Sequence, residues 1–415
     1  MKTQLAILNL MHQGAKASVS VGGVAFALLL VFMQLGFMGA VSHTAVNVLE
    51  RLRFDFILRS YDYAHLYEAG TIDTHWLAAV RNVPGVRSAR PLWVTIQNWR
   101  TLPTSSQTEQ GTFVPQFLPI AIYGLDPEDG LALRLKEVEE QAHLLRRPDC
   151  ILIDDTTHAE YGPWDGRRFG AEDVSRRRTT EIGNQSYRIA GTFHLGTGLA
   201  SNGLAVMGRA AMSRIWPWEM DRTCSLGLVE TESEAADEQL ASIIDATKRK
   251  LALSGPASSV DGSTSEVLPV EILSRDEMLQ WEKRRWLWET PIGLIFQMGV
   301  ALSLVVGAAI VYMVLATDVA NRLPEYATLL AMGYSRKYLC SVVLTQAVVL
   351  STCGFLAAWG VAEALYRAVG LASGIPLIMT WQRIGAVAVL GAAMCIFSGL
   401  LALRKLWKAE PANLF

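Results

Sequence analysis

Four apolar stretches without a charged residue limit what this chain can become: Ala17 to Val41, Pro291 to Thr317, Tyr338 to Ala362 and Ile384 to Leu403. A helix needs about 20 apolar residues to cross a hydrocarbon core about 30 Å thick. In lipid the backbone must satisfy its own hydrogen bonds, so only helices and closed barrels cross. None of the four alternates polar and apolar residues as barrel strands do. The sequence therefore predicts four transmembrane helices, over 17–41, 290–317, 338–366 and 384–403. Composition agrees: 18% of residues are charged, against about 25% in soluble domains. The net charge of −2 gives no electrostatic reason for a nucleic-acid partner.

Orientation follows from basic residues in short loops. Lys2 and Lys16 lie in segment 1–16, which has no acid; Arg322, Arg336 and Lys337 lie in 318–337; Arg404, Lys405 and Lys408 lie in the tail 404–415. Loop 367–383 has only Arg367 and Arg383, at its edges. Both termini and 318–337 are expected in the cytoplasm, with 42–289 and 367–383 outside it. Lys283, Arg284 and Arg285 run against this assignment, but they close a long segment, and long domains translocate largely regardless of charge. Trp281, Trp286 and Trp288 beside them fit an interfacial aromatic belt. The first stretch exceeds the apolar core of a cleaved leader and reads as a retained anchor.

The long segment 42–289 has room for one or two globular domains. FDFILRS (54–60), LWVTIQNW (92–99), FLPIAIYGLD (117–126), CILIDD (150–155), QSYRIAGTF (185–193), CSLGLVET (224–231) and VLPVEIL (267–273) read as strands. Residues 74–86 read as a helix capped by Thr74 and stopped by Pro84-Gly85, and 233–255 as the clearest helix. Residues 275–289 read as a helix able to run on into the second span as a stiff stalk. The charged stretch 164–178 and the small, polar stretch 254–265 read as loops. The fold class is membrane α-helical, with four transmembrane helices, plus an α+β extracytoplasmic domain inserted between helices 1 and 2. Cys150 and Cys224 lie in that domain, and an oxidising compartment would permit a disulfide between them.

Catalytic signals are sparse. IDDTTHAEYG gathers Asp154, Asp155, His158 and Glu160, types able to bind metal or move protons, but adjacent strand carboxylates point to opposite faces and no HExxH or EF-hand spacing is present. A strand end with a capped turn explains them as well, and His194 stands alone. No GxxxxGK[ST] occurs, nor any Gly-Lys pair, so phosphate-loop ATP hydrolysis would need another chain. Within the spans, Glu363 is the one ionisable group, with Arg367 four residues on as its helical partner. Gln34, Gln297 and Gln346 read as interhelical hydrogen-bonding groups. The expectation is packed connectors rather than a solute-lined pathway, with no metal and no directly bound cofactor.

One stretch resists the role of connector. RLPEYATLLAMGYSRKY (322–338) joins two spans, where two to eight residues would suffice. It is helix-friendly after Pro324, has Glu325 at the helix start, presents Leu329, Leu330 and Met332, and breaks at Gly333. Such a segment on the cytoplasmic side suits docking to a partner.

One span, a large outer domain and three further spans is the layout of FtsX/MacB/LolC-type ABC transporter permeases, and the chain most resembles their DevC-like members. The resemblance rests on FALLLVFMQLGF (26–37), RRPDCILID (146–154) with EYGP (160–163), residues 290–335, IPLIMTWQR (375–383) and residues 398–415. It covers nearly the whole chain and is loosest at 164–181 and 254–266. It implies a homodimer working with an ABC ATP-binding subunit that carries the ATP and Mg. It also implies a periplasmic membrane-fusion protein and a TolC-like outer-membrane channel as partners, and residence in the inner membrane. Residues 318–337 become a coupling helix, with Arg322, Pro324, Glu325, Tyr326, Leu329, Met332 and Gly333 as coupling residues. ATP-driven motion would then reach the outer domain by mechanotransmission and expel a lipid-like or other hydrophobic substrate. Two readings stay beside it: an FtsX-like regulatory permease controlling a periplasmic hydrolase, and a membrane-anchored enzyme using Asp154, Asp155 and His158.

Overall fold

A computed structural model describes residues 14–101, 116–162, 167–232, 237–254, 270–321, 324–325, 328–329, 332–373 and 377–408. The chain divides into two compact units: a sheet unit, His43–Trp286, and a helical unit made of Met1–Ser42 and Leu287–Phe415.

Among the described residues four helices are long and apolar enough to cross a membrane. They are α1 (Gly14–Arg51), α5 (Pro291–Asn321), α6 (Arg336–Ser373) and α7 (Trp381–Lys408). α1 packs through Val24, Ala27, Leu28, Val31 and Phe32, the i, i+3, i+4, i+7 rows of one helix face. Opposite lie Val311 and Leu315 of α5, Val343 and Ala347 of α6, and Val387 and Met394 of α7. Small residues set the approach. A Cβ on Gly354 would come within 2.9 Å of the Val24 Cβ, and one on Gly307 within 2.8 Å of the Met394 methyl. In lipid such close packing replaces the hydrophobic drive between helices. Ser398 Oγ donates to Ala308 O at 3.1 Å, and the Tyr366 hydroxyl donates to Phe32 O. Glu363 and Arg367 pair at 2.9 Å. Gln346 is buried in the bundle, and Gln297 of α5 donates to Leu287 O near the end of the preceding helix, Arg275–Trp288. α6 continues to Ser373 and α7 starts at Trp381, so 367–373 and 381–383 of the expected loop are helix.

The sheet unit holds β1 (Phe56–Arg59), β2 (Ile72–Asp73), β3 (Val86–Arg100), β4 (Phe117–Leu125), β5 (Cys150–Asp154), β6 (Thr179–Ile182), β7 (Gln185–Phe193), β8 (Leu204–Gly208), β9 (Thr223–Cys224), β10 (Leu226–Thr231) and β11 (Glu271–Ser274). Its longer helices are α2 (His75–Arg81), α3 (Asp237–Ser254) and α4 (Arg275–Trp288). Nine strands run in the order β11-β1-β10-β3-β4-β8-β5-β7-β6, and β6 pairs again with β3. The second pairing, Trp99 with Ile182 and Arg100 with Glu181, closes six strands into a ring. β3 makes this possible by its length: its first half pairs with β10 and its last residues with β6.

Both faces of the central strands are buried. Ile120 and Ile122 of β4, Ile151 and Ile153 of β5 and Met207 of β8 enter one core, with Trp99 and Tyr187. Their alternating neighbours Ala121, Tyr123, Leu152, Leu204 and Val206 enter the other. This is the pattern of a sheet covered on two sides. The strands β6 and β8 were not expected from sequence. β8 is a short uniform apolar run, which periodicity cannot assign. β6 follows the arginines of 176–178, and the Gly183-Asn184 turn that joins it to β7 has φ of +55° and +62° at its two residues, the geometry of a two-residue hairpin.

Several local expectations change. Thr74 does not cap α2; Asp73 Oδ1 accepts the His75 N–H at 2.9 Å, while Thr74 Oγ1 donates to Asp221 O. The charged stretch 164–178 contains a short helix, Ala171–Ser175, organised by the buried Asp173. Its carboxylate takes the Gly170 N–H at 3.0 Å and pairs with Arg167 at 2.9 Å and Arg178 at 3.2 Å. The stretch 254–265 lies outside the described residues beyond Ser254. Cys150 and Cys224 are both buried free thiols. α4 does not run on into α5. Pro291 opens the new helix, where its missing N–H costs nothing and its ring disfavours helix at Thr290. Thr290 Oγ1 caps it, accepting the Gly293 N–H at 3.2 Å.

The expected tryptophan belt is also divided. Trp288 is 65% exposed, but Trp286 is buried. Its indole donates to Glu282, a fully buried carboxylate that also accepts the Leu66 N–H at 3.0 Å and the Tyr63 hydroxyl at 2.8 Å. Arg59 lies 4.0 Å from the Trp281 ring and pairs with Glu271 at 2.7 Å. Burial raises the Glu282 carboxyl above the ordinary value of 4.5, more than its hydrogen bonds and the Arg59 charge lower it. The folded unit thus holds this proton more tightly than the unfolded chain. That stability is fully present below 4.5 and is lost as pH rises through the folded value. Glu282→Gln is expected to remove this slope from unfolding curves measured against pH. Glu282→Ala strands three buried donors and is expected to destabilise the unit by roughly 3 kcal/mol or more in urea titrations.

Candidate functional site

The turn between α5 and α6 is where the sequence places a docking segment. After α5 ends at Asn321, Pro324, Glu325, Thr328 and Leu329 are helical. Thr328 Oγ1 donates to Pro324 O at 2.9 Å, and the Met332 N–H donates to Thr328 O at 3.0 Å. The helix then stops at Gly333, whose φ is +88°. The Tyr334 N–H reaches back to Leu329 O at 3.1 Å, closing the six-to-one bond that ends a helix on a left-handed residue. Glycine suits this position because a Cβ there carries a conformational penalty. It faces open space, so bulk alone meets no neighbour.

Ser335 starts the next helix. Its Oγ accepts the Tyr338 N–H at 3.3 Å and its carbonyl the same N–H at 2.9 Å, a serine cap on α6. The Tyr334 and Tyr338 rings lie 5.0 Å apart. Stop and start signals therefore sit within three residues and fix the reversal.

The expected coupling residues divide. Pro324 and Glu325 are exposed, Met332 is 63% exposed, and Gly333 is exposed. Leu329 is half-buried against the helical core instead of sharing an outward apolar face with Met332. Tyr334 is 48% exposed. Arg322, Tyr326 and Leu330 lie outside the described residues. Sequence reading missed Thr328, Tyr334 and Ser335; the serine directly before a long apolar helix was the signal for the last.

The second candidate cluster comes apart. Asp154 is fully buried, and its oxygens are spent: Oδ1 accepts the Thr156 N–H at 2.7 Å, and Oδ2 the Leu195 and Gly196 N–H groups at 2.9 and 2.8 Å. Burial raises its carboxyl, with these bonds opposing. Asp155 points the other way and pairs with the exposed His194 at 2.8 Å. His158 is 3.9 Å from Glu160. Asp154, Asp155 and the His158–Glu160 pair thus have separate partners. Among the described residues no three His, Cys, Asp or Glu side chains gather as a metal site. Asp154 is a tie between the end of β5 and the 194–196 loop.

Residues 298–411 match the family described as FtsX-like permease C-terminal. No curated protein matches the chain. Among solved structures, it is similar to the extracellular domain of the noncanonic ABC-type transporter YknZ from Gram-positive bacteria. That match has 12% identity and a TM-score of 0.32, and covers 49% of this chain and 90% of the other. It is also similar to the periplasmic region of MacB from Actinobacillus actinomycetemcomitans, with 7% identity, a TM-score of 0.35, and coverage of 56% and 94%.

Two outcomes follow from the geometry. Asp154→Ala is expected to destabilise the sheet unit by about 2–4 kcal/mol, and His194→Ala to change it by less than about 0.5 kcal/mol, both read by chemical denaturation. Gly333→Ala is expected to cost about 1 kcal/mol at the helix end, seen as faster amide exchange at Tyr334. The turn between the second and third long helices lies inside residues 298–411, the part of this chain that matches the FtsX-like permease C-terminal family.

Proposed function

We propose that the chain is the membrane-spanning permease subunit of an ABC exporter of the DevC-like kind. The observation that carries this reading is the FtsX-like permease C-terminal domain over residues 298–411, which contains a turn with an exposed, capped helix between two spans. In this reading both termini and the 318–337 turn are cytoplasmic. The sheet unit is an insert between the first and second spans and stands in the periplasm, and the protein resides in the inner membrane. ATP and Mg belong to a separate ATP-binding subunit that docks on Pro324, Glu325, Met332, Gly333 and Tyr334, with Arg322 and Tyr326 completing the contact.

The spans support motion transfer better than conduction. Their interior is filled by aliphatic side chains and close-packed glycines, and the Glu363–Arg367 pair is exposed on α6 rather than aimed into the bundle. ATP-driven movement of the turn would be passed to the sheet unit, which would act with a membrane-fusion protein and a TolC-like channel on a lipid-like or other hydrophobic substrate. α5 leaves Ile295, Met298, Leu302 and Val305 exposed along one side, a surface suited to a second copy of the chain in a homodimer.

The test is reconstitution in lipid with the ATP-binding subunit from the same cell. Co-purification and ATP hydrolysis that depends on this chain are expected. Glu325→Lys should lower that hydrolysis at least about tenfold, because a reversed charge in a docked contact opposes binding. If no ATP-binding subunit ever associates, the permease reading fails. If the partner found outside is a wall hydrolase instead of a coiled-coil fusion protein, export gives way to regulation.

A further inference from the structure

The sheet unit has a basic cleft on its surface. Leu52 and Leu133 pair as an antiparallel bridge, held by Arg53 N–H to Ala132 O and Arg134 N–H to Arg51 O, each 2.7 Å. Both leucines are buried in the core. Alternation therefore turns Arg53 and Arg134 to the opposite side. β3 adds Arg87 and Arg90 to the same hollow, and the short helix Lys136–Glu140 adds Lys136. The cleft measures about 450 Å³, and its lining side chains are all charged.

The charges do not cancel. Its two carboxylates are already engaged, Glu139 with Arg53 and Glu230 with Arg90, the latter at 3.0 Å. Arg87, Arg134 and Lys136 have no carboxylate partner among the described residues. Five cations against two carboxylates leave an excess of three positive charges. The excess reaches neighbouring groups: burial, and after it the Arg134 charge, holds the Arg275 guanidinium below its usual range. Like charges gathered in a concave wall repel one another and focus the field outward. An anion relieves both.

We propose that this cleft binds a phosphate-bearing head group through Arg87, Arg134 and Lys136, with Arg53 and Arg90 held in place by their carboxylates. Planar guanidinium forks match phosphate oxygens two at a time, and a lysine adds a point charge. The lining has no aliphatic or aromatic side chain, so the cleft takes the charged head and leaves any acyl tail outside. A compact hollow of this volume suits such a head better than an extended acidic peptide. The phosphate has two possible sources, a lipid or a soluble phosphorylated compound. The inference does not depend on the permease reading, since binding requires no ATP-binding subunit.

The test uses the full chain in dodecylmaltoside, titrated calorimetrically with inorganic pyrophosphate and, separately, with phosphatidic acid in mixed micelles. Diacylglycerol serves as the uncharged control. Saturable binding that weakens with added salt is expected. The Arg87→Gln/Arg134→Gln double variant should raise the dissociation constant at least about tenfold, as loss of charge-assisted hydrogen bonds does. Both side chains are exposed, so an unchanged tryptophan-fluorescence melt should accompany the loss. Binding of phosphatidic acid alone assigns the lipid source. Binding of pyrophosphate alone, or of both with equal response to the double variant, assigns a head recognised without its tail. The proposal is overturned if neither probe saturates, if the double variant binds as the parent does, or if only a polyglutamate peptide binds.

Discussion

Wherever the backbone of this protein turns around, the polar groups left over at the end of an element have to find partners. Within a hydrocarbon layer water cannot supply them, and in a sheet covered on two sides it cannot reach them. The same requirement shapes both units. At the start of α5, Thr290 takes an orphan N–H and Pro291 removes another. Between α5 and α6, Gly333 allows the Tyr334 N–H to close on Leu329, and Ser335 caps the helix that follows. In the sheet unit, Asp154 gathers three N–H groups at the end of β5, and Glu282 gathers one N–H and two side-chain donors under α4.

This bears on how acidic residues in the chain are read. Asp154 and Glu282 are carboxylates with raised proton affinity, a feature that often marks catalysis. Here each is surrounded by donors from separate elements and has no open approach, so the perturbation reports burial. The exposed acid Glu325 has no such enclosure. Exposure and spent acceptors separate structural acids from contact acids more reliably than a shifted proton affinity does.

The ring closure through β3 ties the two cores of the sheet unit together. β3 is a single strand of 15 residues, and one of its edges serves β10 and then β6. Its two halves therefore belong to different neighbourhoods. Arg87 and Arg90 lie near the β10 half, where the basic cleft forms, while Trp99 lies in the closed ring with Tyr161 and Phe169. A strand of this length couples a charged hollow to a packed core without any intervening loop.

Uniform apolar runs and turn residues encode local states, and these were legible directly. They gave the four long helices, the strands at 56–59, 117–125, 150–154 and 185–193, and the break near Gly333. Charge placement gave the Glu363–Arg367 pair. What sequence order could not supply was convergence. β6 and β8 needed the ring to show they were strands. Trp281 and Trp286 read as membrane-belt residues because their neighbours Lys283, Arg284 and Arg285 are charged; tertiary packing instead buried Trp286 against Glu282. Leu329 and Met332 read as one face, but packing half-buries Leu329 against the helical core and leaves Met332 exposed. Arg53, Arg87, Arg134 and Lys136 are scattered over more than 80 residues of chain, and none stands in a basic run. Only the pairing of Leu52 with Leu133 and the path of β3 bring them to one cleft, because periodicity records which way a side chain faces locally and is silent on what faces it across the fold.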